Sequence, residues 1–269
     1  MFDPPARVPY AQIPIEVNDS EEHRALALRM AQESIVLLKN ADGFLPLDEN
    51  AGTIAVVGPN ADDDVVLLAN YNGTPSRSVT PLAGIRKKVG PSTRVLYAKG
   101  CEIRSADMSG FDEAVAAAEE AEVVVAVMGL SQLIEGEEGQ QEGVEPGKRS
   151  TGDRSDLGLP GVQDALLQAL EATGKPLIVV LLNGSAVAVN WAHEHAEAIV
   201  EAWYPGEEGG TAVADVLFGD VNPAGRLPVT FYQLVDQLPP FRDYAMAGHT
   251  YRFFAGEPLY PFGHGLSYT

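Results

Sequence analysis

Two unbroken apolar runs, Val123-Val124-Val125-Ala126-Val127-Met128 and Leu177-Ile178-Val179-Val180-Leu181-Leu182, constrain what this chain can fold into more than any other feature. A strand with one wet face alternates apolar and polar residues. A run that is apolar at every position is buried on both faces, as central strands are in sheets covered by helices on either side. Thr53–Gly58 (TIAVVG) reads the same way, and Arg94–Ala98 and Ala198–Ala202 are shorter candidates. Helical stretches lie between them. Asp19 or Ser20 caps a helix whose apolar positions, Ala25, Leu28, Ile35 and Leu38 among them, carry it to about Asn40. Val65–Asn70 is a short helical piece, and Thr80–Val89 has Pro81 in its first turn. Further helices are expected at Phe111–Ala121, Pro160–Thr173 and Thr211–Phe218, and Leu227–Phe231 reads as an antiparallel edge strand. This alternation predicts an α/β fold, a three-layer α/β/α sandwich with a mainly parallel sheet.

The organisation reads as three parts. Residues 1–18 hold four prolines and form an extended lead-in, 19–243 form the sandwich, and 244–269 are an aromatic, turn-rich tail. With a net charge of −20, nucleic acid and anionic membranes are disfavoured as partners. The single cysteine, Cys101, excludes an intrachain disulfide framework and a cysteine-based zinc site. No apolar run approaches the roughly 20 residues that cross a bilayer. The opening MFDPPARVPYAQIP lacks the basic and apolar regions of a signal peptide, so the chain as written is expected to be soluble and to stay where it is made.

Chemistry is sought in the loops beyond the carboxyl ends of the strands, where ligands sit in open α/β sheets. No glycine-rich dinucleotide fingerprint or phosphate loop follows a strand, so nucleotide binding is disfavoured. Asn183-Gly184-Ser185 puts a serine after a strand but does not complete a nucleophile elbow. His193, His195, His249 and His264 lack metal-ligand spacing and read as structural or surface residues, and no metal or other cofactor is expected. What remains is the loop of about thirty residues after Val123–Met128, with Glu135, Glu137 and Glu138 within four positions. Loops that long are usually functional or disordered. A carboxyl beside apolar walls and other carboxylates has a raised pKa, as a general acid needs. From composition alone, the solvated acidic loop is the favoured reading of the same residues. Asp153-Arg154 either fixes such a carboxylate or forms a surface ion pair.

A combination of motifs settles that choice by resemblance. Glu33–Asn40 (ESIVLLKN) with Leu45-Pro46-Leu47, Ile54–Asn60 (IAVVGPN), Leu133–Glu138 followed by Gly152-Asp153-Arg154, Trp203–Gly210 (WYPGEEGG), Asn222–Pro228 (NPAGRLP) and Tyr260–Thr269 (YPFGHGLSYT) together resemble glycoside hydrolase family 3. The resemblance implies that family's second domain, an α/β sandwich with a mainly parallel sheet of about six strands. It also implies exo-acting, retaining β-glucosidase or β-xylosidase chemistry on terminal β-linked sugars of an oligosaccharide or glycoside. Two carboxylates roughly 5–5.5 Å apart carry that reaction, a barrel aspartate as nucleophile and a sandwich-domain glutamate as acid/base. The family's I/L-E-x-E pattern falls on Ile134–Glu137, which implies Glu137 as acid/base, then Glu138, then Glu135, with Asp153 and Arg154 supporting the loop. Asn70–Gly73 (NYNG) resembles a stretch of β-xylosidase-like members. The nucleophile's S-D-W context is missing, since Ser155-Asp156 runs into Leu157. The partner implied is therefore a (β/α)8 barrel, in trans or in a longer parent chain, and the chain alone is expected to be inactive. The alternative is a non-catalytic sugar-binding or domain-packing module.

Overall fold

The computed structural model describes residues 3–135, 154–240 and 242–269. The first secondary structure after the 3-10 turns of the lead-in is α1 (Glu21–Ser34), capped by Ser20, whose hydroxyl accepts from the His23 amide at 3.3 Å. Strands and helices then run β1 (Val36–Asn40), β2 (Thr53–Val57), α2 (Pro81–Lys88), β3 (Arg94–Ala98), α3 (Phe111–Glu120) and β4 (Val123–Gly129). They continue as α4 (Gln163–Glu171), β5 (Leu177–Leu182), α5 (Asn190–His195), β6 (Ala198–Glu201), α6 (Gly209–Leu217) and α7 (Thr250–Phe253). Among the described residues the sheet has six strands in the order β1-β6-β5-β4-β2-β3. All pairs are parallel except β1 with β6.

The apolar runs explain the layering. Successive side chains of a strand point to opposite faces. In β4, Val124, Ala126 and Met128 meet Ala114 and Ala118 of α3 and Leu166, Leu167 and Leu170 of α4. Val123, Val125 and Val127 face the other layer, with Leu82 and Ile85 of α2 and Val213 and Leu217 of α6. Every residue of β4, β5 and β6 is buried. The α2 and α6 helices meet almost backbone to backbone, since a Cβ on Gly84 would lie 2.0 Å from the Gly210 carbonyl oxygen. No helix among the described residues is long and apolar enough to cross a membrane.

Two expectations need correction. The first helix does not reach Asn40. It stops at Ser34, and Val36–Asn40 pairs antiparallel with β6, Val36 opposite Glu201. A short continuous apolar run such as Ile35–Leu38 fits a buried helix or a strand equally, and a free sheet edge decided the matter here. The antiparallel edge strand is thus β1 and not Leu227–Phe231. That later segment makes one isolated bridge, Phe231 to Tyr260. Two smaller differences follow. Val65–Asn70 contains only a 3-10 turn at Val66–Leu68, and Asn190–His195, unassigned from sequence, is helical.

The tail closes the sheet's antiparallel edge. The Leu266 amide donates to the Leu37 carbonyl at 2.8 Å, and His264 Nε2 lies 2.8 Å from the Leu38 carbonyl oxygen. His193 Nδ1 meets the Tyr260 hydroxyl at 2.9 Å. These two histidines pack the tail against the body, as their structural reading expects.

Candidate active site

The site starts where β4 ends. Gly129 has φ +138°, and a Cβ there would lie 2.1 Å from the Leu182 carbonyl oxygen, so the close approach of β4 to β5 requires glycine. Gln163 of α4 is fully buried and clamps this point from both sides. Its Oε1 accepts from the Gly129 amide at 2.9 Å and its Nε2 donates to the Gly129 carbonyl at 2.8 Å. Asn60, at the end of β2, donates to the Leu130 carbonyl at 3.0 Å. The chain therefore leaves the sheet on a fixed path. It turns at Ser131, whose carbonyl accepts from the amides of Ile134 and Glu135 at 2.9 and 3.0 Å.

That turn brings Glu135 over the carboxyl ends of β5 and β6. The Gly184 amide donates to Glu135 Oε2 at 2.7 Å. The Ser185 hydroxyl donates to Oε1 and the Tyr204 hydroxyl to Oε2. Arg154 joins from the segment before α4, its Nη2 donating to Ser185 Oγ at 2.9 Å and to the Ala186 carbonyl at 2.7 Å. Beneath them lies Glu201, the last residue of β6 and fully buried. It accepts from Asn183 Nδ2 and from the Trp203 amide, both at 2.9 Å.

The electrostatics follow from burial. Glu201 is pushed up to about 8, because desolvation outweighs its two donors and the Glu135 charge acts in the same direction. Burial, then the Glu135 charge, drives the Tyr204 phenol far above its ordinary value. Burial lowers Arg154, and Glu135 opposes that shift. Arg154 Nη1 and Asn183 Oδ1 are buried with no hydrogen-bond partner among the described residues.

Of the glutamates singled out from sequence, the structure places Glu135, and it unites Glu135 and Arg154 in one network through Ser185. Glu137, Glu138 and Asp153 lie outside the described residues. A carboxylate held by three donors is a fastener rather than a free acid. Sequence reasoning missed Tyr204, Gly184, Asn183 and Glu201, and it weighed Ser185 only as a nucleophile. The signal was there: Asn183-Gly184-Ser185 and Trp203-Tyr204 both directly follow solid apolar strands, where a parallel sheet gathers its loops. Among the described residues, no group of three or more His, Cys, Asp or Glu is placed to hold a metal ion.

Comparison with known proteins adds an independent line. Residues 35–268 match the glycosyl hydrolase family 3 C-terminal domain. Over 262 residues the chain is 43% identical to a β-xylosidase of Formosa agariphila, covering 93% of this chain and 34% of that protein. It is 40% identical over 291 residues to a periplasmic β-glucosidase of Salmonella typhimurium, covering 95% and 36%. Among solved structures, a GH3 exo-β-xylosidase (XlnD) in complex with a xylobiose aziridine probe superposes with a TM-score of 0.83 at 33% identity, covering 98% of this chain and 33% of that one. A β-glucosidase from Erythrobacter marinus superposes at 0.77 with 37% identity, covering 96% and 38%. The chain thus spans about a third of the length of the relatives it matches.

Proposed function

The chain belongs to the glycosyl hydrolase family 3 C-terminal domain family, and from that premise we propose that it is the acid/base-bearing domain of a retaining, exo-acting β-glycosidase of β-xylosidase or β-glucosidase type. Its substrate class is a terminal β-linked sugar on an oligosaccharide or glycoside. In the reaction, a carboxylic acid protonates the leaving oxygen while a second carboxylate attacks the anomeric carbon from the opposite side. The first group then takes a proton from the water that hydrolyses the glycosyl-enzyme. The acid/base is Glu137, with Glu138 next. The nucleophile comes from a (β/α)8 barrel outside this sequence.

One observation carries the choice of glutamate. Glu135 is engaged by Gly184, Ser185 and Tyr204, which makes it the anchor of the loop and leaves the later glutamates for chemistry. Arg154 supports the same anchor by holding Ser185 and Ala186, and Asp153 is assigned to the same support.

The test joins this chain to a family 3 barrel and assays aryl β-xylosides and β-glucosides. Glu137→Gln is expected to lower kcat by about 10²–10⁴-fold on a poor leaving group. On a leaving group that departs without a proton the loss is expected to be much smaller. Glu138→Gln is expected to leave that contrast intact. Equal losses on both leaving groups would remove Glu137 from the acid role. Sugar binding by calorimetry, with no turnover in any pairing, would favour the non-catalytic module instead.

A further inference from the structure

We propose that Glu201 is a positioning residue for the loop beyond β4: together with Asn183 it sets the two arms that grip Glu135. One arm is Gly184-Ser185 at the end of β5, and the other is Tyr204 just past β6. Both lead back to the same buried carboxyl. One Glu201 oxygen accepts from the Trp203 amide two residues on, at 2.9 Å. This closes a tight turn in which Trp203 takes a left-handed conformation, φ +59°, that is sterically costly for a bulky side chain and is held only where its surroundings demand it. Tyr204 follows directly and donates its hydroxyl to Glu135. The other Glu201 oxygen accepts from Asn183 Nδ2 at 2.9 Å, and that same amide nitrogen donates to the Ser185 carbonyl at 3.0 Å. It thereby sets the segment whose amide and hydroxyl meet the opposite side of the Glu135 carboxylate.

The residue type argues for a positional role. The other residues of β6 are Ala198, Ile199 and Val200, and the strand neighbours of Glu201 are Val36 and Leu181. A leucine would satisfy that burial. A carboxyl buried there carries a desolvation cost that only its two specific acceptor contacts offset. Burial keeps it protonated up to about pH 8. The ionisable groups facing it are Glu135 from the loop beyond β4, Tyr204 on its own segment and, through these, Arg154. Ionisation of Glu201 places a second negative charge beneath Glu135 while both its oxygens remain acceptors for Asn183 and Trp203, so the surroundings of Trp203 change with that charge.

The consequence for turnover rests on the reading given under Proposed function. The anchor itself does not, so the test reads no turnover and the two stand or fall separately. The chain has two tryptophans, Trp191 and Trp203. In a Trp191→Phe background, Trp203 emission is expected to shift with a single midpoint near pH 8, and Glu201→Gln is expected to abolish that transition between about pH 6 and 9.5. Hydrogen exchange at the Gly184 amide supplies the second readout. Glu201→Leu is expected to lower its protection factor at pH 7 about tenfold, the size of one net hydrogen bond, with Glu201→Gln, which keeps one of the two acceptors, recovering only part of that loss. A Trp203 transition that persists in the Gln variant overturns the proposal. So does Gly184 protection that is unchanged in a folded Leu variant. If the Leu variant does not fold, the pH transition in the conservative Gln variant decides alone.

Discussion

Arg24 illustrates how much one buried charge can organise. Its guanidinium side chain is 7% exposed and meets Asp19 at 3.2 Å, Glu207 at 3.0 Å and Glu208 at 2.8 Å. It therefore ties α1 to the segment entering α6. Arg24→Met removes the cation shared by three carboxylates, although Glu208 keeps Arg77 at 3.3 Å and Asp19 keeps the Ser76 amide, so the variant is expected to destabilise the fold by about 1–3 kcal/mol in denaturant titration. A loss below about 1 kcal/mol would place the cluster with surface pairs. Glu201 makes the opposite kind of statement. The folded chain keeps its proton up to about pH 8, whereas the unfolded chain releases it near the ordinary 4.5. Between those values the folded state binds more protons, so this group's contribution is full below about 4.5, falls as pH rises, and levels off above about 8. Glu201→Gln should therefore gain on the unmodified chain from pH 5 to pH 8 in paired thermal melts. A difference independent of pH would show that the group does not titrate in that window. Neither residue was legible in function from the sequence, because an Arg early in a helix or a Glu ending an apolar run says nothing about the carboxylates or amides that the fold brings to it.

At the level of elements, β1 and the α2–α6 crossing show where pattern and packing part company. Ile35-Val36-Leu37-Leu38 satisfies a helical face as well as a strand, and only the vacancy beside β6 turned it into a strand. In the crossing, glycine is chosen against helix propensity. Replacing Gly84 or Gly210 by alanine gains about 1 kcal/mol of propensity. The added Cβ, however, would lie 2.0 Å from the Gly210 oxygen in one case and 1.9 Å from the Thr80 oxygen in the other. Backbone cannot move aside as a flexible side chain can, so overpacking wins. Each variant is expected to lose about 1–3 kcal/mol to the clash, the scale of other overpacked cores, for a net loss of up to about 2 kcal/mol after the propensity gain. Unchanged or raised melting temperatures would mean that the helices separate without penalty.

The whole molecule carries a net charge of −20. Like charges spread over one body oppose its compact state, and salt screens them beyond about 10 Å at 0.1 M. Raising NaCl from about 20 to 500 mM is therefore expected to raise the melting temperature, and by more in Arg24→Met, which is one charge more negative and lacks the attractions that salt would weaken. A melting temperature that falls with salt would mean that attractive pairs dominate. At this scale the chain is also expected to hydrolyse aryl β-glycosides negligibly alone, since a retaining mechanism needs a second carboxylate roughly 5–5.5 Å from the first. Robust turnover by the pure chain, abolished in Glu137→Gln, would sink that expectation.

The sequence by itself determined the fold class and pointed to the sheet edge where the candidate site is sought. Six-residue runs apolar at every position, Val123–Met128 and Leu177–Leu182, read as central strands between two helical layers, and parallel strands gather their carboxyl-end loops on one edge. Ordered motifs identified the family. Tertiary structure alone decided that Glu135 is fastened. Gly184, Ser185 and Tyr204 are 49 to 69 residues from Glu135 in the chain, and no local period encodes a hydrogen bond across that separation. It exists because β4, β5 and β6 lie side by side.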